Sequence, residues 1–211
     1  MNGVSKNALD FLISIGIMER KMLRYLSIDC EMGGRELKYS LLTAAFVVFD
    51  DKFNQIGKLV FKLKPDNGDY FVSGQGMSVN RINLVDHDKI AVPYKDAKAQ
   101  LYHFLKLKSE DSKVRLIPLG HGVKGDMDHI FNAPLISFGS WEQFCTYHYI
   151  DTSVVLQYLR GIGKMPLDCD GSVGALAEYF GVPVEGDLHD EYVDAVTTAK
   201  VYQKMIEAGK R

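Results

Sequence analysis

The chain has 211 residues, of which 46% are hydrophobic and 25% charged, as in an ordinary globular protein of one domain. Its 25 Lys and Arg against 27 Asp and Glu give a formal net charge of −2, which excludes a polycation that coats nucleic acid. Three cysteines without a CxxC motif exclude a disulfide framework or zinc cluster and indicate reduced thiols inside a cell. We therefore expect a cytoplasmic protein.

The first 22 residues carry a short apolar segment. It runs from Phe11 to Ile17, which is too short to cross a bilayer. The charged segment Met18–Lys21 that follows is unlike a secretory cleavage site. Residues 1–22 are predicted to form a helical or flexible extension and residues 23–211 the folded domain, with no membrane association.

Three strands are predicted at the start of the folded domain. Apolar and polar residues alternate in Tyr25–Glu31 and again in Gln55–Lys64. Between them, Leu41–Phe49 is continuously apolar, as in a strand that is buried on both faces. Residues Pro65–Asp88 are rich in Gly, Asn and Asp, and we expect them to form a long irregular connection.

Helices and strands alternate in the second half of the chain. Helices are predicted to begin at Pro93, near Asp126 and at Ser153, to span Val173–Phe180, and to run from Asp190 to Glu207, with strands at Val114–Leu119 and Tyr147–Asp151. An antiparallel start followed by this alternation predicts one α/β domain, a mixed sheet with helices on both faces.

Two carboxylates interrupt the first predicted strand. Asp29 and Glu31 are two residues apart, so both side chains leave the strand on one face. Adjacent carboxylates repel, their burial without a partner is costly, and oxygen ligands suit Mg²⁺ or Mn²⁺. A solvated strand end is the alternative interpretation. The same spacing recurs in turn-like or helix-start segments, at Asp86 and Asp88, Asp126 and Asp128, and Asp168 and Asp170.

Two later segments also carry candidate catalytic groups. His189 precedes the last predicted helix and Asp194 lies about one turn inside it, so a histidine that can accept a proton from water stands beside a carboxylate. The Gly-rich segment Gly120–Ile130 places Asp126 where a strand ends and a helix opens. Taken singly, each segment is also explained by helix capping or by an ordinary turn.

The ordered set of these three segments resembles the DEDDh, or DnaQ-like, 3′–5′ exonucleases, from about Leu23 to Ile206. The resemblance implies an RNase H-like fold, two Mg²⁺ or Mn²⁺ ions, and release of nucleoside monophosphates from the 3′ ends of single-stranded nucleic acid or oligonucleotides. Stand-alone members of the family are frequently dimers, so a homodimer is also implied.

The resemblance implies roles for seven residues: metal binding for Asp29, Glu31, Asp126 and Asp194, general-base catalysis for His189, and contact with the terminal nucleotide for Met32 and Gly33. The dipeptide Glu31-Met32 is similar to the ribonuclease branch of the family. Gly122 and Gly125 depart from the family pattern, in which Asn and a bulky apolar residue are common. Asp128 therefore stays open as the alternative to Asp126.

Two other functions stay open. A catalytically silent RNase H-like module could bind nucleic acid or a protein, although it would have no physical need for a costly acidic cluster. A glycosidase could use Asp29 and Glu31 as its carboxylate pair, and EDTA distinguishes it from a nuclease because it needs no metal. DNA, RNA and short oligonucleotides all stay open as substrates.

Overall fold

The computed structural model describes residues 23–110 and 114–210, so the predicted extension 1–22 lies outside the described residues. The strands are β1 (Tyr25–Met32), β2 (Leu41–Phe49), β3 (Gln55–Lys64), β4 (Val92–Pro93), β5 (Ile117–Gly120) and β6 (Ile150–Asp151). The helices are α1 (Gly74–Asn80), α2 (Leu84–Ile90), α3 (Tyr94–Glu110), α4 (Val123–Asn132), α5 (Phe138–Phe144), α6 (Thr152–Gly161), α7 (Val173–Phe180) and α8 (Glu191–Lys210).

One mixed sheet organises this part of the chain. Its strand order is β4-β3-β2-β1-β5-β6. Strand β2 is antiparallel to both of its neighbours, β1 and β3. The pairs β1 with β5, β5 with β6, and β3 with β4 are parallel. This arrangement confirms the predicted fold class, in which antiparallel first strands are followed by parallel ones.

The alternation of residues along β1 sends side chains into two different cores. Leu26, Ile28 and Cys30 pack with α3, α4 and α5 on one face of the sheet. Tyr25 packs with α8 on the other face, where Ala195 and Ala199 lie against β2. All nine residues of β2 are buried, as predicted for a strand covered on both faces. A third apolar cluster joins α6 and α7 to α8.

The irregular connection predicted for Pro65–Asp88 is wrong in part, because it contains α1 and most of α2. Local capping explains both helices: the Ser73 side chain accepts a hydrogen bond from the backbone N–H of Gly76, and Asn83 accepts from Val85. The predicted Ser172 cap of α7 and its stop at Gly181 are confirmed.

Other predicted boundaries shift by a few residues. The strand predicted at Val114–Leu119 is β5, which begins only at Ile117, and the one predicted at Tyr147–Asp151 is reduced to the two residues of β6. Tyr147 and Tyr149 are largely exposed, so neither is held in the sheet by burial. None of the helices described is long and apolar enough to span a membrane.

Candidate active site

The site lies where β1 runs past the end of its parallel neighbour. The pairing of β1 with β5 stops at Ser27, while its pairing with β2 continues to Met32. Asp29 and Glu31 therefore lie on a stretch of strand that is open on one side. Their side chains alternate with the buried Cys30, as the period of a strand requires.

Helix α4 brings the third carboxylate to this opening. The turn between β5 and α4 passes so close to β1 that a Cβ on Gly120 would lie 2.9 Å from the carbonyl oxygen of Ile28. Asp126, in the first turn of α4, is only 7% exposed and acts electrostatically on Asp29. Asp128 instead forms an exposed ion pair with Lys124, 2.6 Å from its Nζ. The structure thus places Asp126, and not Asp128, in the cluster.

Helix α8 brings the fourth carboxylate and the histidine. The hydroxyl of Ser27 donates a 2.7 Å hydrogen bond to the carbonyl of Ala195, which fastens the helix to β1. The carboxylate of Asp190 accepts from two backbone N–H groups of the first turn. His189 has a left-handed backbone (φ 73°), and its N–H donates to Oδ2 of Asp194 at 3.1 Å.

Three side chains of the cluster are close enough together to hold a cation. One ligand atom from each of Glu31, His189 and Asp194 lies within 4.8 Å of the others. The second oxygen of Asp194, Oδ1, is buried and has no hydrogen-bond partner among the described residues. Burial of a carboxylate oxygen without a hydrogen-bond donor costs free energy unless a cation binds that oxygen.

Burial and mutual repulsion raise the pKa values of these carboxylates. For Asp29 the pKa lies well above its usual range, first because of burial and then because of Asp126, Asp194 and Glu31. Burial also raises the pKa of Asp126, and hydrogen bonds from backbone N–H groups oppose this increase. The pKa of Asp194 is likewise raised by burial. Divalent cations would remove this excess of negative charge.

The pKa of Glu31 is raised from its usual value of 4.5 to about 7. Burial is the main cause, Asp194 and Glu191 add to it, and Lys62 opposes it. Glu191 and Lys62 were not among the predicted site residues. Glu191 lies three positions before Asp194 and thus on the same side of α8, a spacing that could have indicated it. Lys62 lies on β3 and carries no comparable signal.

Of the two residues predicted to contact a nucleotide, Met32 borders a cleft beside Glu31, and Gly33 follows it in the chain. Met32 lines this cleft, which has a volume of about 660 Å³, together with Arg35. The backbone of Gly33 is fixed by two hydrogen bonds, one from its N–H to the carbonyl of Ser40 (2.8 Å) and one from the Ser73 N–H to its own carbonyl (2.6 Å). A Cβ at Gly33 would lie 2.6 Å from the carbonyl oxygen of Phe71, so the close approach requires glycine.

Two other histidines flank Asp126 in sequence but serve other contacts. The Nδ1 atom of His121 lies 2.8 Å from the hydroxyl of Thr152. His129 is buried on α4 and lines a separate cavity with Asn132. Among the described residues, His189 is the histidine whose ring meets the carboxylate cluster.

Comparison with solved structures places this fold among nucleases. E. coli exonuclease I in complex with a dT13 oligonucleotide matches with a TM-score of 0.69 and 16% identity over 88% of this chain and 41% of that one. Cell-death related nuclease 4 (CRN-4) has a TM-score of 0.65 and 15% identity over 90% of this chain and 64% of that one. The nuclease domain of 3′hExo, a DEDDh family member bound to rAMP, has a TM-score of 0.65 and 14% identity over 90% and 94%.

At these identities the likeness shows the fold. The chain has an RNase H-like fold, and the resemblance to the DEDDh exonucleases is confirmed at the level of the fold. It spans about two fifths of the E. coli exonuclease I chain and about two thirds of CRN-4. No family model and no curated protein matches the sequence.

Proposed function

We propose that this protein is a 3′–5′ exonuclease of the DEDDh type that hydrolyses single-stranded nucleic acid with the help of divalent cations. The observation that carries the proposal is the convergence of Asp29, Glu31, Asp126, His189 and Asp194, which come from three distant segments, at the open end of β1. Further support comes from the fold neighbours, whose structures contain a dT13 oligonucleotide or rAMP.

The four carboxylates fit two Mg²⁺ or Mn²⁺ ions, because they offer oxygen ligands and one of those oxygens is buried without a partner. When bound, such ions polarise a phosphodiester, stabilise the leaving oxygen and lower the pKa of a water. A solved form of E. coli exonuclease I contains zinc. The carboxylate set of the present chain favours the harder ions.

The roles of the protein's own residues follow from their positions. The ring of His189 is exposed at the mouth of the cluster, where it can accept a proton from a water held against Glu31 and Asp194. Met32, which lines the adjoining cleft, and the backbone of the neighbouring Gly33 would hold the terminal nucleotide. Because a cleft that seats a chain end selects ends over internal bonds, we expect stepwise shortening, and the resemblance to the DEDDh exonucleases implies that it proceeds from the 3′ terminus.

A direct test uses purified protein with Mg²⁺ or Mn²⁺ and 5′-labelled single-stranded DNA, RNA and dinucleotides. The expected result is a ladder that shortens from the 3′ end, releases 5′-monophosphates and disappears with EDTA. The hydrolysis rates on the three substrates show whether DNA, RNA or short oligonucleotides are preferred. Cleavage of a circular single strand would indicate an endonuclease, and binding without turnover would indicate the silent module. Activity that survives EDTA would exclude the metal mechanism.

A matched pair of variants on one helix tests the site itself. Asp126→Asn should abolish hydrolysis, because this carboxylate lies in the cluster. Asp128→Asn should be at most mildly impaired, because an exposed ion pair such as that with Lys124 contributes about 0–1 kcal/mol to stability. The opposite ranking of the two hydrolysis rates would mean that Asp128 supplies the ligand.

A further inference from the structure

A lysine and a glutamate form an ion pair at the border of the carboxylate cluster. The Nζ atom of Lys62 lies 2.7 Å and 3.0 Å from the two carboxylate oxygens of Glu191. The side chain of Glu191 is 3% exposed, whereas that of Lys62 is 37% exposed. The pair is therefore anchored in the interior at its acidic end and reaches solvent at its basic end.

The register of the sheet places Lys62 in line with the site. Glu31 on β1 is paired with Thr43 on β2, and Thr43 is paired with Lys62 on β3. Residues directly opposite each other in antiparallel strands project from the same face, so the three side chains form a row. Glu191 is the first residue of α8, the helix that supplies Asp194.

The ammonium group keeps a donor for a further partner. An ammonium has three N–H donors. In the described part of the chain, Lys62 makes two side-chain hydrogen bonds, and both go to Glu191. Since the Lys62 side chain is partly exposed, an anion arriving from solvent at the Glu31 end of the cluster can accept the third bond.

We propose that Lys62 contacts the phosphodiester of the substrate beside Glu31, and that Glu191 is a positioning residue that holds the ammonium in place. A lysine free to move along this row would pair with Glu31 and compete with a cation for its oxygens. The buried carboxylate of Glu191 draws the ammonium away from Glu31 while leaving it at the border of the site. This inference rests on the proposed function and adds a substrate-contacting residue to it.

The same strand offers a matched control. Lys64 lies two residues after Lys62 and on the same face of β3, and its Nζ lies 3.2 Å from Oδ1 of Asp88. Asp88 belongs to α2 and its side chain is 52% exposed. Each of the two ion pairs is thus formed by a lysine of β3, and the pairs differ in the burial of the carboxylate and in proximity to the carboxylate cluster.

The first experiment measures binding without turnover. Binding is followed by the fluorescence anisotropy of a fluorescein-labelled single strand, with Ca²⁺ in place of Mg²⁺. Lys62→Met should weaken binding roughly 10- to 100-fold, as expected for a lost hydrogen bond to a charged group. Lys62→Arg should retain most of the affinity, and Lys64→Met should bind like the parent protein. Equal affinities for Lys62→Met and Lys64→Met would overturn the proposal.

A second experiment separates contact with substrate from support of the fold, because Lys62→Met leaves a buried charge on Glu191. The double variant Lys62→Met/Glu191→Leu replaces the pair by apolar side chains, a change that is often neutral or stabilising. We expect it to melt near the parent temperature and still to bind and cleave oligonucleotides as weakly as Lys62→Met. Recovery of parent affinity and KM together with stability would show that the pair is structural.

Glu191→Gln tests the positioning role. The amide keeps the size of the side chain and one acceptor, but it holds the ammonium without a charge. We expect the concentration of Mg²⁺ that gives half-maximal binding, measured by calorimetry, to rise, because Lys62 can then pair with Glu31. An unchanged Mg²⁺ affinity would overturn that role. Failure of the parent protein to hydrolyse any strand would refute the proposed function instead, and the binding experiments would still test Lys62.

Discussion

The middle of β2 and the end of β1 are neighbours in the sheet, yet their side chains meet opposite conditions. Along β2 every residue is buried, and in its middle Phe46 is completely covered within an apolar core. At the end of β1, Asp29 and Glu31 are brought against further carboxylates, and burial raises their pKa values. Packing along β2 stabilises the folded state. The clustered carboxylates at the end of β1 destabilise it, but they offer ligands for cations.

This difference means that activity and stability should respond oppositely to mutation in the two regions. Loss of a carboxylate at the end of β1 should remove function and relieve repulsion. Loss of apolar volume in β2 should weaken the fold without changing the chemistry of the site. Such a stability cost is common at functional sites.

Asp29→Asn should give the largest effect. We expect hydrolysis of a labelled oligonucleotide to be abolished, because Asp29 is the carboxylate on which Asp126, Asp194 and Glu31 all act electrostatically. The melting temperature in EDTA should rise, since a buried charge and its repulsion are removed. Glu31→Gln should behave in the same way. Full activity in both variants would disprove the site, and a lower melting temperature in EDTA would contradict the comparison of the two regions.

His189→Ala should slow hydrolysis by about 10²–10⁴-fold, the range that a positioned general base contributes. Metal and oligonucleotide binding should persist, because the four carboxylates remain; calorimetry and anisotropy measure both. We also expect the rise of rate with pH on the acid side to disappear from the pH–rate profile. If turnover and profile stayed those of the parent protein, His189 would not be the general base.

Phe46→Ala should lower the free energy of unfolding by about 3–5 kcal/mol, as is typical when a buried aromatic side chain is removed. Phe46 is 0% exposed and lies edge-on to Phe61 in the core shared with α3 and α4. Urea denaturation measures the loss. The kcat of the fraction that remains folded should stay at the parent value, and a selective loss of kcat would mean that the core also shapes the site.

The smallest expected effect is the change with pH in the free energy of unfolding of the metal-free protein. The folded-state pKa of Glu31, about 7, lies above its ordinary value of 4.5, so the folded state binds this proton more tightly than the unfolded state does. Stability in EDTA should therefore be greatest below about pH 4.5 as far as Glu31 is concerned, and should fall as pH rises through about 7. Asp29 and Asp126 act in the same direction.

Urea denaturation across this interval, with and without Mg²⁺, checks the sign. Bound Mg²⁺ should flatten the dependence, because it stabilises the ionised carboxylates. Glu31→Gln should flatten it in part without metal. Stability that instead rose with pH in EDTA would mean that the carboxylates already have adequate cationic partners.

Local periodicity was enough to predict most of the framework. The alternation in β1, the apolar run of β2 and the Ser172 cap of α7 each depend on neighbours close in sequence, and each was predicted correctly. The two short helices after β3 were missed because their capping residues, Ser73 and Asn83, lie in a segment whose Gly and Asn content is typical of loops. The homodimer and the cytoplasmic location stay predictions.

The sequence by itself determined which groups could form the site: a carboxylate pair on one strand face, and a histidine and an aspartate one helical turn apart. Only the tertiary structure showed that Asp126, and not Asp128, lies against the other carboxylates, because the start of α4 sets the direction in which each side chain points. It alone brought Lys62 to Glu191, which lies 129 positions later in the chain. Periodicity specifies the face of a strand or helix, whereas contacts between distant segments depend on how whole elements pack.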